Sequence, residues 1–360
     1  MSHIVRIPNV FDHNSDLPIP AIDFKDSTVK IGSRKSALAV KQSEIVAKHI
    51  AKNYPRLNST ITKVSTLGDQ VQNRPLYSFG GKALWTKELE ILLLENVGEF
   101  EQIDLIAHSL KDMPTILPDD FELGCIIERE DPRDALVMKK GSPYKSLADL
   151  PAGSIVGTSS VRRSAQINRN FPNLVFKSVR GNIQTRVQKL DAEDSEYACI
   201  ILAAAGLIRC DMKDRITKYL NEDEMYHAVG QGAIGVEIRK DNEKMRLLCS
   251  VIGDRKTTWK CLAERSLLRT LEGGCSVPVG VWTTVSSYNV LKLKAIVLSV
   301  DGSESVEDFV EKQLTCEKDA FDAGIELADK LIAKGAKKIL DEINFSKIKE
   351  VKEMGLSNPQ

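Results

Sequence analysis

Three kinds of residue in this 360-residue chain stand where they could do chemistry: a cysteine in a glycine-bounded loop, an acid beyond an apolar run, and arginines at turns. In "LRTLEGGCSVPVG", Cys275 follows two glycines and precedes a proline by three residues. Gly273 and Gly274 can close a helix in the left-handed conformation, which leaves the thiol in a loop with little packing to do. An accessible sulfur is a soft nucleophile suited to capturing an electrophile. "IAHSLKDMPT" sets Lys111 and Asp112 just past an apolar strand. "IGSRKSA" places Arg34 at a strand-to-helix turn, with Ser36 as a candidate cap, and "VGTSSVRRSAQ" does the same with Ser159, Ser160, Arg162 and Arg163. "SVRGNIQTRVQ" adds Arg180 before a Gly-Asn turn and Arg186 in the next helix, and "LAAAGLIRC" ends on Arg209.

Any one of these arginines alone reads as a solvated surface charge, but four such turns in one chain read as a binding site. Backbone N–H groups at a helix start, joined by hydroxyls and guanidiniums, receive anions. The planar arginine fork donates two parallel bonds to a carboxylate or phosphate, each charge-assisted bond contributing roughly 1.5–3 kcal/mol. A cluster of forks implies a ligand with several anionic groups. Asp112 among them has two readings, an ion pair with Lys111 or an arginine, or a carboxylate that holds a cationic intermediate. With the second, the substrate would carry both signs.

The elements that must position these residues alternate between short apolar strands and helical stretches, the pattern of α/β layers. "TVKIGS", "IDLIAHS", "SIVGTSS", "LVFKSV", "ACIILAAAG" and "AIGVEIRK" read as strands, and "SALAVKQSEIVAKHI" as a helix burying Leu38, Ile45 and Val46. After Gly253 the pattern changes. "TTWKCLAERSLLRTL" is a helix whose buried face is Trp259, Leu262, Ala263, Ser266 and Leu267. The Cys275 loop, the alternating strand "LKLKAIVLSV" and a final helix from about Asp319 follow. The turn-rich "KKGSPYKSLADLPAGS" reads as a crossing between domains. In an open α/β sheet, ligands bind at the carboxyl ends of the strands, where the arginines lie.

Composition narrows the class. Lys+Arg and Asp+Glu both number 50, which argues against a general nucleic-acid binder. Hydrophobic residues make up 42% and no apolar run reaches the roughly 18 residues of a membrane span. The first 28 residues lack a secretory core and carry Asp12, Asp16, Asp23 and Asp26, unlike a mitochondrial presequence, and read as a partly disordered extension. Seven cysteines without a C-x-x-C pair fit a reducing cytoplasm. The five histidines lack metal-ligand spacing, so no metal is expected, and His108 inside its strand reads as a packed structural residue.

Two glycine patterns need care. "VGQGAIG" has Gly230, Gly232 and Gly235 at G-x-G-x-x-G spacing, but a strand follows where a nucleotide site needs a helix. In "YSFGGKALWTKELE", Gly80 and Gly81 before Lys82 read equally as a flap over a site or an ordinary turn.

Taken together, "IGSRKSALAVKQ", "GGKALWTKELE", "AHSLKDMPT", "DPRDALV", "GTSSVRRSAQ", "VRGNIQTR", "LAAAGLIR", "VGQGAIGVE" and "LEGGCSVPVG" resemble, in order, the motifs of the hydroxymethylbilane synthase (porphobilinogen deaminase) family. The resemblance runs from about Val29 to near the carboxyl end. Its departures are the amino-terminal extension, and Ala83 and Trp85 where the family commonly has glycine and phenylalanine.

The resemblance implies a transferase of haem biosynthesis. It would join four porphobilinogen units head to tail with loss of ammonia, then release hydroxymethylbilane by hydrolysis. It implies a covalent dipyrromethane cofactor held by a thioether at Cys275. It implies that Asp112 faces the pyrrole N–H groups and offsets positive charge on the azafulvene formed as ammonia leaves. Lys111, Ser159, Arg162, Arg163, Arg180 and Arg209 match cofactor-binding positions, and Arg34, Ser36 and Arg186 substrate-binding ones. The implied fold has two doubly wound lobes of the periplasmic-binding-protein type and a smaller α+β carboxyl-terminal domain. Its units would be an extension over 1–28, domain 1 over 29–129 with 230–253, domain 2 over 130–229, and domain 3 over 254–360. The implied protein is a cytoplasmic monomer with a small-molecule substrate and no nucleic-acid or membrane partner.

Two alternatives remain on the residues alone. One is a non-catalytic two-lobed binder of a polycarboxylate, which would need neither the Cys275 loop nor Asp112. The other is a transferase working through an acyl-cysteine, which wants a histidine near the thiol.

Overall fold

A computed structural model describes residues 8–13, 18–23, 28–65, 86–271 and 277–343. Two five-stranded sheets dominate it. The first contains β1 (Thr28–Arg34), β2 (Asn58–Val64), β3 (Leu105–Ser109) and β4 (Phe121–Ile127). The second contains β5 (Asp134–Met138), β6 (Ile155–Gly157), β7 (Val175–Lys177), β8 (Tyr197–Ala203) and β9 (Lys218–Tyr219). The chain then returns to the first sheet as β10 (Ile234–Arg239).

The sheets share one plan. Their orders are β2-β1-β3-β10-β4 and β7-β6-β8-β5-β9. In each, three parallel strands meet an antiparallel fourth: β10 against β3, and β5 against β8. Those fourth strands, β5 and β10, adjoin the two passages of chain between the sheets. The fold class is therefore the one expected, two doubly wound α/β lobes and a smaller third unit. One expectation is corrected. Residues 139–154 do not cross between domains, because β5 before them and β6 after them belong to the same sheet.

Helix α1 (Ala37–Asn53) starts at Ser36, whose side chain accepts from the Ala39 N–H at 3.4 Å. Its buried face is Ala39, Gln42, Ser43, Val46 and Ile50, while Leu38 and Ile45 are only half-buried. The face is turned from the expected one because Gln42 points inward and donates to the Ser109 hydroxyl at 2.7 Å. Helix α2 (Lys87–Leu94) packs Leu89, Leu92 and Leu93 beside β1 and β3. Helices α3 (Val161–Asn170), α4 (Ile183–Asp191) and α5 (Ala204–Arg209) serve the second sheet, and α6 (Glu243–Ile252) the first.

The third unit lays α7 (Arg255–Thr270) and α8 (Glu317–Ala333) on an antiparallel sheet of β11 (Val279–Val285), β12 (Val290–Leu298) and β13 (Ser305–Gln313). The face expected for α7 is buried throughout: Trp259, Leu262, Ala263, Ser266 and Leu267. The same helix is bolted to the passages between the lobes. Glu264, fully buried, accepts from Arg129 Nη1 at 2.7 Å, Arg129 Nη2 at 3.0 Å and the Gly230 N–H at 2.7 Å. A buried pair of this kind costs about 3–5 kcal/mol when one partner is removed.

Candidate active site

The sequence-derived residues gather at the carboxyl ends of parallel strands. Arg34 ends β1, and β3 runs into a 3-10 turn, Leu110–Asp112, that carries Lys111 and Asp112. The turn is seated by the Leu110 N–H on the Ala233 carbonyl at 3.0 Å. Gly230 and Gly232 take φ of +71° and +85° beside it. A Cβ on Gly232 would stand 2.4 Å from the Glu130 carbonyl oxygen. The G-x-G-x-x-G spacing thus serves close approach of the two passages, and the strand β10 follows, as the sequence suggested.

Asp112 is exposed, and it has no ion pair within 4.0 Å to a described residue. This removes the plain ion-pair reading and leaves a carboxylate free to accept hydrogen bonds. Burial pushes the Lys111 ammonium down to about 8, against the pull of Asp112, with Arg163 and Arg162 adding to the push. Burial likewise pushes the Arg186 guanidinium down to about 10, with Arg163 and Arg180 adding to it and Asp112 opposing. Lys111 and Asp112 from one lobe and Arg162, Arg163, Arg180 and Arg186 from the other therefore share one electrostatic field.

The second lobe presents its groups through two helix starts. Ser160 caps α3 without a side-chain hydrogen bond to the first turn. Ser159 is already engaged, its hydroxyl 2.7 Å from that of Ser178 and 2.9 Å from the Val179 carbonyl. Its one proton is spent within the lobe, so in this arrangement backbone N–H groups are the better anion donors. Asn182 caps α4, accepting from the Thr185 N–H at 2.8 Å. Arg186 Nε donates to the Gly181 carbonyl at 2.8 Å, and Arg186 has no ion pair among the described residues. Arg209 Nη2 donates to the Gly232 carbonyl at 2.7 Å, while its buried Nε has no partner among the described residues.

Arg162 and Arg163 differ from these. Both are buried and both bind Asp134, at 2.7 Å each. Asp134 was not among the residues singled out from the sequence, nor were Glu264, Arg129 and Arg265. Arg265 donates to the Met113 carbonyl at 3.2 Å and the Pro114 carbonyl at 2.6 Å, so α7 grips the chain directly after Asp112. The signal for Asp134 was an acid opening an apolar strand in "DPRDALV"; the pairings of the others join distant segments and leave no local pattern.

Cys275, and the Gly80–Gly81 flap with Lys82, lie outside the described residues. So does residue 85. In sequence Cys275 comes ten residues after Arg265, and α7, which carries Arg265, ends at Thr270. His108 is packed as expected, its Nε2 2.7 Å from Glu237 Oε2. Among the described residues no group of three or more His, Cys, Asp or Glu could hold a metal ion, and no helix is long and apolar enough to cross a membrane.

The passage between lobes also holds a titrating group. Burial, with the Arg129 charge, pushes His227 down to about 4 from 6.5. Below pH 6.5 the unfolded chain takes up a proton that the native chain refuses until near pH 4, so stability falls as pH drops through that window. The loss amounts to about 3 kcal/mol. Urea denaturation at steps from pH 7 to 4 is expected to show this slope in the parent and a flatter one in His227→Gln. Parallel curves would refute it.

The donor set suits a dipyrromethane, two pyrroles whose acetates and propionates need cations and whose N–H groups need an acceptor. Arg209 Nε, without a partner among the described residues, and Arg186 and Asp112, without an ion pair among them, supply both. Comparison with known proteins agrees. Residues 29–247 match the family model described as "Porphobilinogen deaminase, dipyromethane cofactor binding domain", and residues 258–333 match "Porphobilinogen deaminase, C-terminal domain". A Candida albicans protein named porphobilinogen deaminase is 60% identical over 333 residues, 92% of this chain and 97% of its own length. One from Saccharomyces cerevisiae is 57% identical over 327 residues, 89% of this chain and 99% of its own.

Proposed function

The chain belongs to the porphobilinogen deaminase family, and from that premise we propose which of its own residues carry the reaction. The activity is that of a transferase of haem biosynthesis: four porphobilinogen molecules condense head to tail, four ammonia molecules leave, and water releases hydroxymethylbilane. The binding-protein alternative is thereby set aside. In each condensation the aminomethyl C–N bond breaks, ammonia departs with the electron pair, and a new C–C bond forms as the attacking α-carbon loses its proton.

Cys275 holds the dipyrromethane through a thioether, and the bound cofactor supplies the free α-carbon from which the chain grows. Asp112 accepts the pyrrole N–H and stabilises the positive charge left on porphobilinogen as ammonia leaves. Lys111, Arg162, Arg163, Arg180 and Arg209 hold cofactor carboxylates, and Ser159 contributes through its backbone. Arg34, Ser36 and Arg186 receive the incoming substrate. The observation that best supports this reading is the shared field of Asp112, Lys111, Arg163 and Arg186, drawn from two lobes. The three domains, 29–129 with 230–253, 130–229 and 254–360, belong to the same reading, supported by sheet membership. A cytoplasmic location accompanies it, supported by cysteine usage and tested by fractionation, and a monomeric state is tested by light scattering.

Intact mass under denaturing conditions tests the assignment. Purified protein is expected to exceed its sequence mass by one dipyrromethane, and the adduct to map to Cys275. Active protein with no adduct, or an adduct on Cys261, would sink it.

The arginines are expected to fail at different stages. Arg162→Gln should lower the fraction of chain that carries cofactor. Arg186→Gln, which removes a cation without a carboxylate partner among the described residues, should let enzyme–substrate adducts stall at one chain length. Losing one such contact weakens binding roughly ten- to a hundredfold. A mass ladder that is unchanged while activity falls uniformly across the set would count against ring-specific contacts.

A further inference from the structure

We propose that Asp134 is a positioning residue for the reaction, holding the guanidiniums of Arg162 and Arg163 in the geometry that cofactor loading requires. The inference rests on the function proposed above. Asp134 opens β5 and is completely buried. Its Oδ2 accepts from Arg162 Nη1 at 2.7 Å. Its Oδ1 accepts from Arg163 Nη2 at 2.7 Å, Arg163 Nε at 3.0 Å and Gln231 Nε2 at 2.9 Å. Each guanidinium has one further anchor, a backbone carbonyl from a different segment: Tyr226 for Arg162 at 2.6 Å and Ile201 for Arg163 at 2.9 Å.

One carboxylate thus serves two adjacent cations at the start of α3. Two guanidiniums side by side in a buried site repel each other, and the shared anion lets both stay charged and close. Burial opposes charge on Asp134, but Arg162 and Arg163 outweigh it and hold the carboxyl well below the usual carboxylate range. The pair keeps a surplus positive charge facing Lys111 and Arg186, whose charges feel Arg163 directly. Arg162 keeps Nε and Nη2 without a partner among the described residues. A fork fixed on one side and open on the other is preorganised for a carboxylate, because little freedom remains to be lost on binding.

The test compares Asp134→Asn with the parent and with Leu136→Ala, a cavity variant in the same strand that lowers stability while Asp134 and both arginines stay in the chain. Each protein is prepared without cofactor and incubated with porphobilinogen below its melting temperature. Denatured intact mass follows the covalent adduct at Cys275 with time. Asp134→Asn is expected to load at least about tenfold more slowly, equivalent to about 1.4 kcal/mol, and to need more porphobilinogen for half-maximal rate. Leu136→Ala should load as the parent does. Should Asp134→Asn not fold, Asp134→Glu decides, since it keeps the charge and displaces the carboxylate by one methylene; slower loading at a near-parental melting temperature is expected. Loading of the decisive variant at the control's rate overturns the positioning role and leaves the function standing. A parent chain that gains no adduct overturns both.

Discussion

Cys275→Ala is expected to give folded protein that acquires no covalent adduct and turns over porphobilinogen at less than about a thousandth of the parent rate, within the range seen when a covalent nucleophile is removed. The substitution takes away the only anchor that this reading provides for the growing chain. The buried thiols of Cys261 and Cys199 are poor replacements. Cys261, on α7, is completely buried, and burial pushes its thiol up to about 12. Burial pushes Cys199 up to about 12 as well. Neither offers an accessible thiolate at neutral pH. Cys275→Ser should fail similarly, because an alcohol is a poorer nucleophile than a thiolate toward a soft electrophile. Intact mass and turnover, measured on the same preparations, check the pair. An active alanine variant with its adduct on another cysteine would refute the anchor.

For Asp112 the decisive variant is asparagine. It keeps the shape and part of the hydrogen bonding but removes the negative charge. Losing an electrostatic contact of this kind in an enclosed site commonly costs ~10²–10³ in turnover, or about 3–4 kcal/mol. Cofactor-loaded Asp112→Asn is expected to lose at least about that much. Its melting temperature should barely move, because Asp112 is exposed and makes no ion pair to a described residue. Asp112→Glu should retain more activity, since only the position of the charge shifts. Turnover of loaded variants at matched melting temperatures is the measurement. Near-normal turnover in the asparagine protein would remove Asp112 from the chemistry.

The sequence was most legible where chemistry is local. Strand, turn and arginine stand next to one another in "VGTSSVRRSAQ" and "VRGNIQTR", and a buried face at helical spacing marks α7. What it hid was pairing at a distance. Nothing near Arg162 says that its charge is shared with Arg163 through Asp134, on a strand of distant sequence. Nothing near Asp112 says that Arg265 holds the next two carbonyls. Composition misled at 139–154, where turn residues suggested a domain crossing; turns accompany every change of direction, and sheet pairing decides which of them leave a domain. The face of α1 was misjudged for a related reason. Gln42 is polar, but it is buried with a half-buried partner in Ser109, and hydrophobicity cannot anticipate a satisfied hydrogen bond.

The strand that returns from the second lobe also has a bearing on how the chain is made. β10 lies between β3 and β4, and β4 pairs with no other described strand. As the polypeptide leaves the ribosome, β4 must wait, edge exposed, until residues 234–239 have followed. The second sheet, by contrast, draws all its strands from the continuous stretch 134–219 and can close as soon as that stretch is free. Long-range pairing of this kind is slow, and an open edge is a hazard while it lasts. Such a nascent chain would therefore depend on shelter for β1 to β4 during the interval, and substitutions that slow the closing of the second lobe would lengthen it. The lobe synthesised first is the lobe completed last.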